Sequence, residues 1–91
     1  DDTFIGGSGE DAHNGGNDTD TVDYSGSLSA VTVRLDLETG TGGDAEGDTY
    51  SLIENVIGSN HGDYLVGNAD NNVLTGGIGN DILNGGFGAD T

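Results

Sequence analysis

Gly58 to Asn84 reads GSNHGDYLV, GNADNNVLT, GGIGNDILN, three consecutive nonapeptides in a single phase. Position one is Gly58, Gly67 and Gly76; position six is Asp63, Asn72 and Asp81; position eight is Leu65, Leu74 and Leu83. Outward from this stretch the phase continues into GGFGADT from Gly85, and it reappears near the start as GGSGEDAHN from Gly6 and GGNDTDTVD from Gly15. These units place Asp90, Asp11 and Asp20 at position six, and Val22 at position eight with His13 as the exception. Asp2 and Phe4 hold positions six and eight of a preceding unit. Positions one to six are rich in Gly, Asn and Asp, which tolerate positive φ, so they spell a turn. Where Gly is replaced, the replacements are mostly Asp or Asn, at Asp18, Asn68 and Asp70, which visit the left-handed region most readily, while Ser59 and His61 fit it less well. Positions seven to nine are long enough only for a very short strand, with the central side chain facing in. Two such units make an 18-residue coil, and stacked coils make two short parallel sheets face to face.

Composition narrows the function. The chain has 91 residues, 31% of them hydrophobic, with 17 acids, one basic residue, 19 glycines and a formal charge of -16. Nucleic acid is excluded as a partner because a polyanion needs a basic footprint, and so is direct binding to an anionic membrane surface. No apolar run approaches the ~20 residues of a membrane span, so direct membrane insertion is excluded too. Without Cys or Pro there is neither a disulfide framework nor collagen. A chain this acidic and this poor in apolar residues should be disordered by itself. Multivalent cations would supply the missing neutralisation. The absence of a signal peptide at the start suggests a fragment or an export route that uses no N-terminal signal.

The six in-phase units match GGxGxDxUx, with U a large apolar residue, and the chain resembles the repeats-in-toxin (RTX) calcium-binding family of secreted bacterial proteins. The stretches DTVDYSG, VTVRLDL, GDAEGDT and LIENVIGS are similar to C-terminal regions of secreted RTX hydrolases. The expected fold class is all-β, a right-handed parallel β-roll of 18-residue coils. The resemblance implies secretion through a type I system, folding outside the cell, and a parent protein that bears a catalytic domain or an adhesin.

Loops on one edge recur every 18 residues, and an ion between them meets carboxylates and backbone carbonyls, an all-oxygen set that suits Ca2+. The expected ligands are Asp2, Asp11, Asp20, Asp48, Asp63, Asn72, Asp81 and Asp90 at position six. Asp18 and the turn glycines Gly7, Gly9, Gly16, Gly77, Gly79, Gly86 and Gly88 complete the set. Spacing pairs Asp2 with Asp20, Asp63 with Asp81, and Asn72 with Asp90, while Asp11 faces a loop, 24–29, that carries no acid. Residues 1–23 and 58–91 form the two repeat arrays of a single domain. Residues 24–57 are expected to continue the roll as four half-turns with two deletions. In them Val31, Val33, Leu35 and Leu37 alternate as a strand, and Asp48 and Tyr50 hold positions six and eight of a degenerate unit.

Competing motifs fall away. An EF-hand at Asp44 fails because Thr49 stands in place of its Gly and Asn55 in place of its Glu. There is no GxSxG or HExxH, and the two His residues lie far apart in sequence, so no catalytic site is expected within the chain. His13 in a core slot is expected to mark a partly open coil, and His61 a solvated loop. The function expected is a Ca2+-binding module that folds on binding extracellular Ca2+. Two alternatives remain: an adhesive module in which other copies stack end to end, and a carbohydrate-binding module of a polysaccharide-modifying enzyme.

Overall fold

A computed structural model describes residues 3–7, 9–69 and 71–85. Its strands are β1 (Thr3–Ile5), β2 (Ala12–Asn14), β3 (Thr21–Asp23), β4 (Thr32–Arg34), β5 (Thr39–Thr41), β6 (Thr49–Ser51), β7 (Asn55–Ile57), β8 (Tyr64–Val66), β9 (Val73–Thr75) and β10 (Ile82–Asn84). Each has three residues, as a nonapeptide with six turn positions requires. One sheet runs β1-β3-β7-β9, the other β10-β8-β4-β5-β6-β2. No helix among the described residues is long and apolar enough to cross a membrane.

The first sheet is wholly parallel, and its register stacks the position-eight residues Phe4, Val22, Val56 and Leu74 in one row. In the second sheet Val33, Leu65 and Leu83 form a row, and His13 stands opposite Tyr50. Val22, Val56 and Leu74 of the first row and Val33, Leu65 and Tyr50 of the second share one core with Tyr24, Val31, Leu35, Ala45 and Ile53, and Phe4 packs against it. The ladder continues into the turns, where the N–H groups of Gly6, Gly15, Gly58 and Gly67 donate to Asp23, Ser51, Thr75 and Asn84 carbonyls. Position one thus closes a bond to position nine of the next coil.

The expectation of two parallel sheets with four half-turns in the middle is corrected. β4 pairs parallel with β8, but β5 runs antiparallel to both β4 and β6, and β6 then pairs parallel with β2. The middle is a three-stranded meander within one sheet, which makes that sheet two strands longer than its partner. The reason lies at Gly40, which holds the inward position of β5. A Cβ there would collide with the Tyr50 hydroxyl and the Ala45 carbonyl. Tyr50 fills the space that a separate coil would need, so β5 serves as a spacer strand. The strand expected over 31–37 shortens for a related reason: Val31, Val33 and Leu35 are buried, but the chain turns after Arg34 and leaves Leu37 exposed.

Leu83 also departs from its expected core role and is 46% exposed. Its strand is an edge strand, with β8 as its sheet neighbour. His13, expected at a partly open coil, is instead buried at 6% exposure.

Candidate metal centre

The position-six residues line up along the turns. The Asp11 N–H donates to Asp48 Oδ1 at 2.7 Å, the Asp20 N–H to Glu54 Oε1 at 2.8 Å, and the Val31 N–H to Asp63 Oδ1 at 2.9 Å. The Asp63 N–H donates in turn to Asp81 Oδ1 at 2.8 Å. Each carboxylate therefore reaches the backbone of position six in the neighbouring coil. The pairing of Asp63 with Asp81 follows the 18-residue spacing. Asp11 does have an acidic neighbour, contrary to expectation, because the meander delivers Asp48 to β2. Asn72 uses its amide as a donor, to the Glu54 carbonyl at 2.7 Å and to Asn68 Oδ1 at 3.1 Å. Asp2, Gly86, Gly88 and Asp90 lie outside the described residues.

Position one is Gly because the position-six side chain folds back against it. A Cβ on Gly58 or Gly76 would lie 2.5 Å from Asp63 Oδ2 or Asp81 Oδ2. Other turn positions need Gly for its φ: Gly77 stands at 76° and Gly79 at 111°, and Asp18 takes the same region at 72°. Gly7, Gly9, Gly16, Gly77, Gly79 and Asp18 are all exposed on the turns. Gly58→Ala is expected to destabilise the fold by about 1–3 kcal/mol by overpacking, whereas Gly26→Ala, whose Cβ meets nothing within 4 Å, should be near neutral. Chemical denaturation of both variants in excess Ca2+ checks this.

The electrostatics of the ladder call for a cation. Asp20, Asp48 and Asp63 are at most 2% exposed. The single Arg is committed elsewhere: Arg34 clamps Asp36 on the surface, with Nη2 to Oδ2 at 2.8 Å, and holds that carboxyl below its usual value. Asp63 has no basic side chain within ion-pair reach among the described residues, and its Oδ2 is buried without a hydrogen-bond partner there. Taking an ionised carboxylate out of water is costly unless a charge or several donors compensate. The side-chain donors about Asp63 are oxygens, those of Ser59 and Asp63, which fits a hard divalent ion such as Ca2+.

One cluster escaped sequence reasoning. Tyr24, which follows β3, is fully buried and donates its hydroxyl to Asp48 Oδ2; its oxygen also lies 2.6 Å from that of Tyr50. His13 Nε2 stands 3.6 Å from the same Asp48 oxygen. Burial pushes both phenols above the usual tyrosine value, with the hydrogen bond to Asp48 adding to the shift for Tyr24. Gly6 is needed here, since a Cβ would overlap the Tyr24 ring. The signal in sequence was the polar or aromatic character of position eight at His13 and Tyr50. Glu54 also belongs to the ladder; its place two residues before Val56 marked it.

Short, mostly parallel strands joined by Gly-Asp turns, with carboxylates buried along the turns of both sheets, define a repeat module with acidic, oxygen-rich turns. The family model for the RTX calcium-binding nonapeptide repeat matches four copies, over residues 1–22 and 57–91. The chain belongs to this family, whose repeats bind Ca2+. The match leaves out the meander. No curated protein matches the chain. The family is a binding module, not itself catalytic, and its repeats occur in secreted bacterial proteins.

Proposed function

We propose that this chain is a Ca2+-dependent folding module, a structural part of a larger secreted bacterial protein exported through a type I system. Residues 1–23, 24–57 and 58–91 act as one unit. The observation that carries the proposal is the burial of Asp20 and Asp63, with Asp63 Oδ2 lacking a partner among the described residues, in a chain of charge -16. Asp11, Asp20, Asp48, Asp63, Asn72 and Asp81 supply side-chain oxygens, and Asp2 and Asp90 continue the series. Asp18 and the glycines Gly7, Gly9, Gly16, Gly77, Gly79, Gly86 and Gly88 supply turn oxygens. Bound Ca2+ supplies the positive charge that these turns lack. Without it, self-repulsion favours the expanded chain. Extracellular modules of this kind are tuned to roughly 10⁻⁴–10⁻³ M, so the chain stays unfolded inside the cell and folds outside.

Small-angle X-ray scattering tests this. In Ca2+ the radius of gyration should approach the 11.3 Å of the folded Cα trace, and in chelator it should rise toward about 30 Å. A compact particle in chelator would contradict the proposal. A second reading, end-to-end stacking of copies, is favoured by the exposure of Ile82 (64%) and Leu83 on edge strand β10. The scattering mass in Ca2+ decides it.

A further inference from the structure

The carboxylates of the turns offer oxygen, but the junction of β2 and β6 offers a buried imidazole nitrogen as well. One ligand atom each from Asp11, His13 and Asp48 lie within 4.8 Å of one another. His13 is 6% exposed, and its Nε2 has no hydrogen-bond partner among the described residues. A leucine or valine at this core position would be the ordinary choice, so a bare imidazole nitrogen here requires a reason. The ring is held in place: it stacks on Tyr50 at 5.7 Å between centroids and 10° between planes, with Phe4 and Tyr24 on other sides. Asp48 is held too, by the Asp11 N–H on one oxygen and the Tyr24 hydroxyl on the other. Such support of a ligating carboxylate is the usual outer shell of a metal site.

We propose that Asp11, His13 and Asp48 bind one divalent transition ion of the Zn2+ class, separately from the Ca2+ held along the turns. Imidazole with carboxylates suits zinc, nickel or copper, whereas Ca2+ takes oxygen. Bonds of ~2.0–2.2 Å place neighbouring ligand atoms of a tetrahedral site about 3.3–3.6 Å apart. The 3.6 Å between His13 Nε2 and Asp48 Oδ2 already meets this. Asp11, the half-buried member, supplies the third ligand, and water is free to complete the four. The meander creates the site, because it carries Asp48 to the strand that bears His13. This goes beyond Ca2+-coupled folding and withdraws Asp11 and Asp48 from the Ca2+ ligands.

The test is calorimetric titration of Zn2+ into the 91-residue chain held in excess Ca2+, with circular dichroism confirming that each variant is folded. One saturable Zn2+ per chain is expected. His13→Gln and Asp11→Asn should each weaken it by at least about tenfold, while His61→Gln leaves it unchanged. Co2+ in place of Zn2+ should give a visible ligand-field band that is lost in His13→Gln. Asp11→Asn, at a half-buried position, keeps the test decisive if His13→Gln does not fold. Absence of saturable Zn2+ binding, or binding that survives both His13→Gln and Asp11→Asn, would overturn the proposal; the Ca2+ dependence of folding is read separately.

Discussion

Asp63→Ala is expected to raise the Ca2+ concentration needed for half-folding by about tenfold or more. The side chain is 2% exposed and does several things at once. Its Oδ1 accepts the Val31 N–H at 2.9 Å, which ties the start of β4 to β8, and the Ser59 hydroxyl at 2.6 Å. Hydrogen bonds to a charged group contribute about 1.5–3 kcal/mol each, and a buried donor left without a partner costs a comparable amount. For each ion taken up on folding, about 1.4 kcal/mol is tenfold in the midpoint, so two lost bonds of about 1.5–3 kcal/mol reach tenfold for a transition coupled to two ions before any direct coordination is counted. Glu38→Gln removes the same charge from an exposed turn and should move the midpoint by less than about twofold. Folding titrations of both variants at fixed ionic strength make the comparison. Equal shifts would mean that the ions are held as a diffuse cloud and not in the turns.

The second large effect lies in alkaline solution. Tyr24 and Tyr50 are buried side by side against Asp48, and both phenols are raised above the value of about 10 that they have in the unfolded chain. The folded state therefore prefers the protonated phenols. Their contribution to stability is complete below pH 10 and is lost as pH climbs from there toward the folded values. Each phenol costs up to about 1.36 kcal/mol per pH unit in that window, because the unfolded chain ionises and the folded chain does not. The chain should unfold cooperatively above pH 10 even in saturating Ca2+, with tyrosinate absorbance appearing together with loss of the β spectrum. Tyr24→Phe should roughly halve the proton dependence while lowering stability near neutrality, since Asp48 loses a donor. Tyrosinate absorbance that rises well before the spectrum changes would show that these phenols are not buried together.

The nonapeptide phase was enough to locate most of the roll. Val22, Val56, Leu65 and Leu74 are buried where position eight predicts, Tyr50 is too, and the strands fall at positions seven to nine. The ladder was legible for the same reason, since Asp63 and Asp81 are one coil apart. What the phase could not give is the path of residues 24–48. Alternation from Val31 marks a strand without saying which strand it joins, and nothing local distinguishes a half-turn from a meander. Gly40 and Tyr50 decide that by competing for one space, a contact between residues of two strands. The environment of His13 followed from that path: only once β6 lies beside β2 does the imidazole meet Asp48 and Tyr50. Leu83 was misplaced because a periodic pattern carries no mark of which coil lies at an edge.

The central claim is that Ca2+ and folding are coupled through the buried carboxylates. The most direct measurement is a far-ultraviolet circular dichroism titration of the 91-residue chain from chelator into millimolar Ca2+, with Mg2+ at equal ionic strength as the control. A disordered spectrum in chelator, converting cooperatively to a β spectrum near millimolar Ca2+ and not in Mg2+, is predicted. A β spectrum already present in chelator, and unchanged by Ca2+, would contradict the account.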